Sequence, residues 1–174
     1  MSAFETRRSP GRAPGGLLAA LGLAAALAAW PGPAFAAKAG PFRPFLGSWS
    51  GTGVITSSNG QRDPITCRAT YEAADGDWSL SQSLVCASDS FRLNIESSVT
   101  ADGRQLQGQW QETTRNVQGQ LSGEVAHGDY EGTVSGPGFT AQISLRASGR
   151  RQTVHIAPSA GDIQSVDIVL MRRR

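Results

Sequence analysis

From Phe45 onward, apolar and polar residues alternate with a period of two. Ile65, Cys67, Ala69 and Tyr71 alternate with Thr66, Arg68, Thr70 and Glu72, and Trp78, Leu80, Gln82, Leu84 and Cys86 with Ser79, Ser81 and Ser83. Phe91 to Val99, Gln105 to Gln111 and Phe139 to Arg146 repeat the pattern. This is the signature of half-buried antiparallel strands, since side chains along a strand point to opposite faces in turn. Asp75-Gly76, Asp102-Gly103, Gly128-Asp129, Gly136-Pro137-Gly138 and Ser148-Gly149 punctuate the runs at hairpin spacing. About ten strands are predicted, at 47–56, 64–73, 78–87, 90–100, 104–113, 117–126, 129–135, 138–146, 151–157 and 163–171, with no helix between them. Two-residue turns at Asp102-Gly103 and Ser148-Gly149 would set Ile95 opposite Trp110 and Ile143 opposite Val154, apolar against apolar.

Consecutive hairpins without a long crossover make a meander, so an up-and-down barrel is favoured over a two-sheet sandwich. Glycines placed mid-strand at Gly51, Gly108, Gly123 and Gly132 fit a sheet that coils to close on itself. Alternation alone does not say which face is outside. Residues 37–174 hold only three Trp, two Tyr and four Phe, too few for the aromatic girdles of an outer-membrane barrel. The glycines lie on the apolar face and the chain finishes Arg172-Arg173-Arg174, so the apolar face is expected inside and the barrel is expected to be soluble.

The N-terminal 36 residues follow a different rule. Arg7, Arg8 and Arg12 precede an apolar run from Leu17 to Trp30, then Pro31, Gly32 and Pro33, then Ala34-Phe35-Ala36. That is the layout of a Sec-type secretory signal peptide with cleavage near Ala36/Ala37. The run is shorter than the ~20 residues a helix needs to cross a bilayer, so a membrane span is not expected. The product would be periplasmic or secreted. Residues 37–44, with Pro41 and Pro44, read as an irregular Pro-rich arm ahead of a barrel domain at 45–174. The formal charge of +2 belongs mostly to the leader, because removing Arg7, Arg8, Arg12 and Glu5 leaves 13 basic against 13 acidic residues. Nucleic acid is therefore not an expected partner.

Cys67 and Cys86 share the apolar face of neighbouring strands, and a bulged turn near Asp75-Gly76 would set them opposite one another, with Tyr71 facing Gln82. Facing strand residues lie ~4.5–5.5 Å apart, within reach of a disulfide. A bridge suits an exported chain better than a redox or metal site, since no Cys-x-x-Cys and no nearby His accompanies them.

The stretch Phe45-Leu46-Gly47-Ser48-Trp49-Ser50-Gly51-Thr52-Gly53 resembles the first strand of the calycin families. Lipocalins share its Gly-x-Trp, and the longer Leu-Gly-x-Trp-x-Gly-x-Gly is similar to the nitrobindin-type barrels. The resemblance implies a barrel of eight to ten antiparallel strands, with Trp49, after Gly47, plugging one end. A basic residue of the last strand, Arg172 or Arg173, would pack across it. The second lipocalin signature, Thr-Asp-Tyr, is absent. Where nitrobindin-like haem proteins carry an axial His, this chain reads Gly161-Asp162-Ile163-Gln164, so no haem or other cofactor is expected.

Candidate chemistry is sparse. The two histidines, His127 in a turn and His155 at outward parity, do not combine with a Ser or Cys and a carboxylate into a hydrolytic triad, nor into a metal site. No catalytic constellation is apparent, and the sequence reads as a non-enzyme. Tyr71, Gln82, Trp110 and Glu112 have inward parity and are the candidate ligand-binding residues. Two functions follow: a barrel holding a small apolar or amphipathic ligand, which requires a cavity of at least ~300 Å³, or a protein-binding module of the protease-inhibitor kind that uses the arm as an inserting segment.

Overall fold

The computed structural model describes residues 39–89 and 91–174; the leader expected at 1–36 lies outside the described residues. Ten strands form where the alternation places them: β1 Gly47–Ser57, β2 Arg62–Ala74, β3 Ser79–Ala87, β4 Arg92–Asp102, β5 Gln105–Glu112, β6 Val117–Ala126, β7 Asp129–Gly136, β8 Phe139–Ser148, β9 Arg151–Pro158 and β10 Ile163–Arg172. Each pairs antiparallel with its neighbours in sequence, and β1 pairs with β10 to close the ring. The fold is an all-β, closed, ten-strand up-and-down barrel, and closure leaves no unpaired sheet edge. Among the described residues no helix is long and apolar enough to cross a membrane.

The parity expected from sequence holds. Along β2, Ile65, Cys67, Ala69 and Tyr71 are buried while Thr66, Arg68, Thr70 and Glu72 are exposed. Closure brings backbones close together on the inner face, and glycine makes that possible. A Cβ at Gly108 would lie 2.2 Å from the Ser98 carbonyl oxygen of the next strand. Cys67 faces Cys86 in register, Cα atoms 4.1 Å apart, and the two form a disulfide, compatible with an exported protein. Tyr71 faces Gln82 as expected.

The two hairpin registers differ from the sequence expectation by two residues. Ile95 faces Glu112 and Trp110 faces Ser97, while Ile143 faces Ile156 and Leu145 faces Val154. The loops are Gly103-Arg104 and Gly149-Arg150, with φ of +60° and +57° at the glycines. A two-residue turn with left-handed backbone only at its first position wants glycine there rather than second. A shift of two leaves inside and outside unchanged, so the core survives the misplacement. Trp78 also moves, from the predicted strand into the loop 75–78. There Asp75, Gly76 and Asp77 all take positive φ.

The arm is not irregular throughout. Arg43–Phe45 makes one 3₁₀ turn containing Pro44, which tolerates a proline where the N–H has no partner to lose. The Gly40 amide donates to the Gly76 carbonyl at 2.9 Å and the Phe42 amide to the Asp77 carbonyl at 3.3 Å. Phe42 and Phe45 are buried, so the segment crosses the end of its own barrel.

Candidate functional site

The end crossed by the arm is sealed by a small group of interlocked residues. Trp49 is 0% exposed, and its Nε1 donates to the Phe45 carbonyl at 2.6 Å. Arg172, its register partner on β10, places its guanidinium 4.2 Å from the indole ring centroid, a cation–π contact. The same guanidinium donates to the Pro44 carbonyl at 2.7 Å and to the Leu46 carbonyl. It thereby ties the last strand to the arm and satisfies two carbonyls outside the sheet ladder. Gly47, at φ +101°, lies beside it; a Cβ there would sit 3.2 Å from the Arg172 Nη1.

Above this seal the barrel is hollow. A cavity of about 400 Å³ is lined by Phe42 and Phe45 from the arm and by inward residues of the strands, including Leu80, Leu121, Val154 and Ile168. Its polar lining is confined to a few positions: Tyr71, Gln82, Ser97, Glu112, Arg115 and Tyr130. Toward the other end the lining continues to Phe91, Phe139 and Ile163, next to the loops 113–116, 137–138 and 159–162.

All four candidate residues border this cavity, each in a different state. Trp110 lies across Gly119, where a Cβ would meet its Nε1 at 2.7 Å, so the glycine makes room for the ring. Its Nε1 donates to the Ser135 carbonyl at 3.0 Å, and Phe139 stands 5.6 Å away, centroid to centroid. Gln82 accepts from the Ser97 hydroxyl at 3.1 Å through Oε1, leaving its amide nitrogen without a protein partner among the described residues. Gln82, Ser97 and Trp110 also border a shallow polar groove on the outer surface. Tyr71 is buried, and burial pushes its phenol up while a hydrogen bond from Gln152 Nε2 at 2.9 Å opposes the shift.

Glu112 is buried yet fully engaged. Its carboxylate accepts from the Asn94 and Thr114 amides at 3.1 Å each, from the Arg115 amide at 2.6 Å and from the Thr114 hydroxyl. Burial works to raise its pKa, but the four hydrogen bonds prevail and bring it from 4.5 to about 2. Glu112 therefore organises the turn at 113–116 and holds Arg115, whose Nη1 is 3.7 Å away. A carboxyl with a depressed folded-state pKa stabilises the fold above its unfolded pKa and loses that contribution as pH falls toward the folded value. Between about pH 4.5 and 2 the wild type is expected to lose stability that Glu112→Gln never had, so the gap between their melting temperatures narrows as acid is added. Thermal melts of both proteins across that range check this. A gap independent of pH would contradict the assignment.

Sequence reasoning missed several residues. Gln152 is 0% exposed and shares the inward parity of Val154, which was legible; its Oε1 has no hydrogen-bond partner among the described residues. Phe42 was passed over because Pro41 and Pro44 suggested an irregular arm, and Phe45 because it stood ahead of the first predicted strand. Arg115 lies in a turn, where parity says nothing. It stacks 5.1 Å from the Phe91 ring centroid and donates to the Arg92 carbonyl at 3.3 Å. His155 is exposed on the outer face, its Nδ1 2.6 Å from Asp167 Oδ1. Among the described residues no His, Cys, Asp and Glu cluster could hold a metal.

No family model matches the chain, and no curated protein does. Among solved structures it is similar to the Rv2717c protein of M. tuberculosis, at 15% identity and a TM-score of 0.62, over 76% of this chain and 95% of that one. It is also similar to an S-type phycobiliprotein lyase, CPES, from Guillardia theta, at 12% identity and a TM-score of 0.51, over 76% of this chain and 90% of that one. These likenesses support a calycin-like fold. They also correct the reading of the sequence as a non-enzyme: a barrel of this shape is named as a lyase, so the lack of a familiar catalytic constellation does not argue against chemistry.

Proposed function

We propose that this chain is an exported calycin-like barrel that holds one small apolar or amphipathic molecule in its interior. The observation that carries this reading is the cavity of about 400 Å³, apolar along nearly all of its wall and bordered at one end by Phe42 and Phe45 of the arm. Sites for small molecules are mostly apolar with a few polar anchors, and the Gln82 amide nitrogen and the Arg115 guanidinium supply donors of that kind. The lining contains no histidine, and both cysteines are bridged, so a haem iron would find neither imidazole nor thiolate there.

The arm does not favour the protein-binding alternative, because Phe42 and Phe45 are spent inside their own barrel. The test is native mass spectrometry of the chain from Ala37 onward, titrated with n-alkyl alcohols and carboxylates of graded length. One molecule per chain is expected to be retained, with an optimum length set by the cavity. A mass unchanged across the whole series would overturn the proposal.

A further inference from the structure

Outside the barrel, one cross-strand row stands apart from the rest of the surface. In register from β2 to β9 it reads Arg68, Ser50, Met171 and Arg151, with Val85 of β3 next to Arg68. Met171 is 48% exposed and Val85 42%, two of the three large exposed hydrophobic residues among those described. Arg150, Arg173 and Arg174 crowd the same end of the strands; the Arg173 amide donates to the Ser48 carbonyl, and Arg150 Nη2 to the Arg172 carbonyl.

Among the described residues none of Arg68, Arg150, Arg151, Arg173 and Arg174 makes an ion pair, nor do Arg43, Arg62 and Arg92 elsewhere, whereas Arg104, Arg115 and Arg146 each pair with a carboxylate. Acids on the four strands are few. β1 and β9 have none, Asp63 and Glu72 sit at the two ends of β2, and Asp167 on β10 is taken up by His155. A near-neutral protein has therefore concentrated unpaired arginines around an exposed methionine on one face.

We propose that this face docks on an anionic lipid bilayer. Arginines flanking an apolar side chain suit a headgroup layer, where guanidinium groups meet phosphate while methionine reaches toward the acyl boundary. A polyanion such as a nucleic acid would reward the charges but leave Met171 and Val85 without a role. Docking is independent of whether the cavity holds a guest.

The test is co-sedimentation of the chain from Ala37 onward, since the barrel closes and buries its core within residues 39–174. Vesicles of mixed phosphatidylglycerol and phosphatidylcholine are compared with vesicles of phosphatidylcholine alone. Binding is expected only to the former at about 0.05 M salt and is expected to vanish at about 0.5 M. Arg68→Gln with Arg151→Gln should weaken it about 25-fold, from the usual gain of each arginine near an anionic surface. Gln107→Glu with Gln120→Glu, on the outer face of β5 and β6, lowers the net charge equally and should leave binding within about twofold of wild type. Absence of binding at low salt, or equal loss in both variants, would each overturn the proposal.

Discussion

Trp49→Ala is expected to destabilise the barrel by about 3–5 kcal/mol, the range for removing a large buried aromatic side chain. The substitution opens a void at the sealed end, removes the hydrogen bond to the Phe45 carbonyl, and leaves the Arg172 guanidinium without its aromatic face. Arg172→Met keeps much of the stem volume but strands the Pro44 and Leu46 carbonyls, so a loss of about 1–3 kcal/mol is expected. The two share one set of contacts, so the double variant should cost less than the sum. Urea midpoints at neutral pH measure all three. A loss below about 0.5 kcal/mol for Trp49→Ala, within the range of an ordinary surface change, would mean that the seal is not structural.

The second large effect is expected from the disulfide. Cys67 and Cys86 are 19 residues apart, and a crosslink across a loop of that length stabilises by about 3 kcal/mol through the unfolded chain. Replacing both with alanine also trims the cavity wall at Cys86. The double variant should therefore unfold at clearly lower urea, and a thiol reductant should move the wild type most of the way to the same midpoint while leaving the variant unmoved. The strand pairing itself does not depend on the bridge, because Tyr71 and Gln82 lie in the same register farther along the hairpin. Far-ultraviolet circular dichroism of the variant is accordingly expected to stay that of a β-barrel. Loss of the barrel signal in native buffer would show that the bridge specifies the register.

The fold was legible because period-two alternation is a local property of the chain that closure of the sheet does not alter. Both strand parity and the facing cysteines could be read without coordinates. Register was harder: the Asp102-Gly103 and Ser148-Gly149 pairs marked the turns, but only the backbone angle at Gly103 and Gly149 decides which loop position the glycine takes. The site was legible in part. Parity placed Tyr71, Gln82, Trp110 and Glu112 on the cavity wall, yet it could not show that Glu112 spends its oxygens on the turn at 113–116. Nor could it see that Phe42 and Phe45 fold back from the arm, since a non-local contact leaves no periodic trace. Gln152 was within reach, because a polar residue at inward parity between Arg151 and Thr153 stands out once burial is asked of every position.

The central claim is that the inward face, and not the outer surface, takes up the guest. Ala141 and Gln142 are neighbours on β8, the first buried on the cavity wall and the second exposed outside. Calorimetric titration with the best-retained n-alkyl amphiphile, run on wild type, Ala141→Trp and Gln142→Trp, decides between them, provided that the melts of all three remain cooperative. One site per chain is predicted for wild type and Gln142→Trp, and none for Ala141→Trp, where the indole takes the guest's room. Unchanged binding in folded Ala141→Trp would contradict the account.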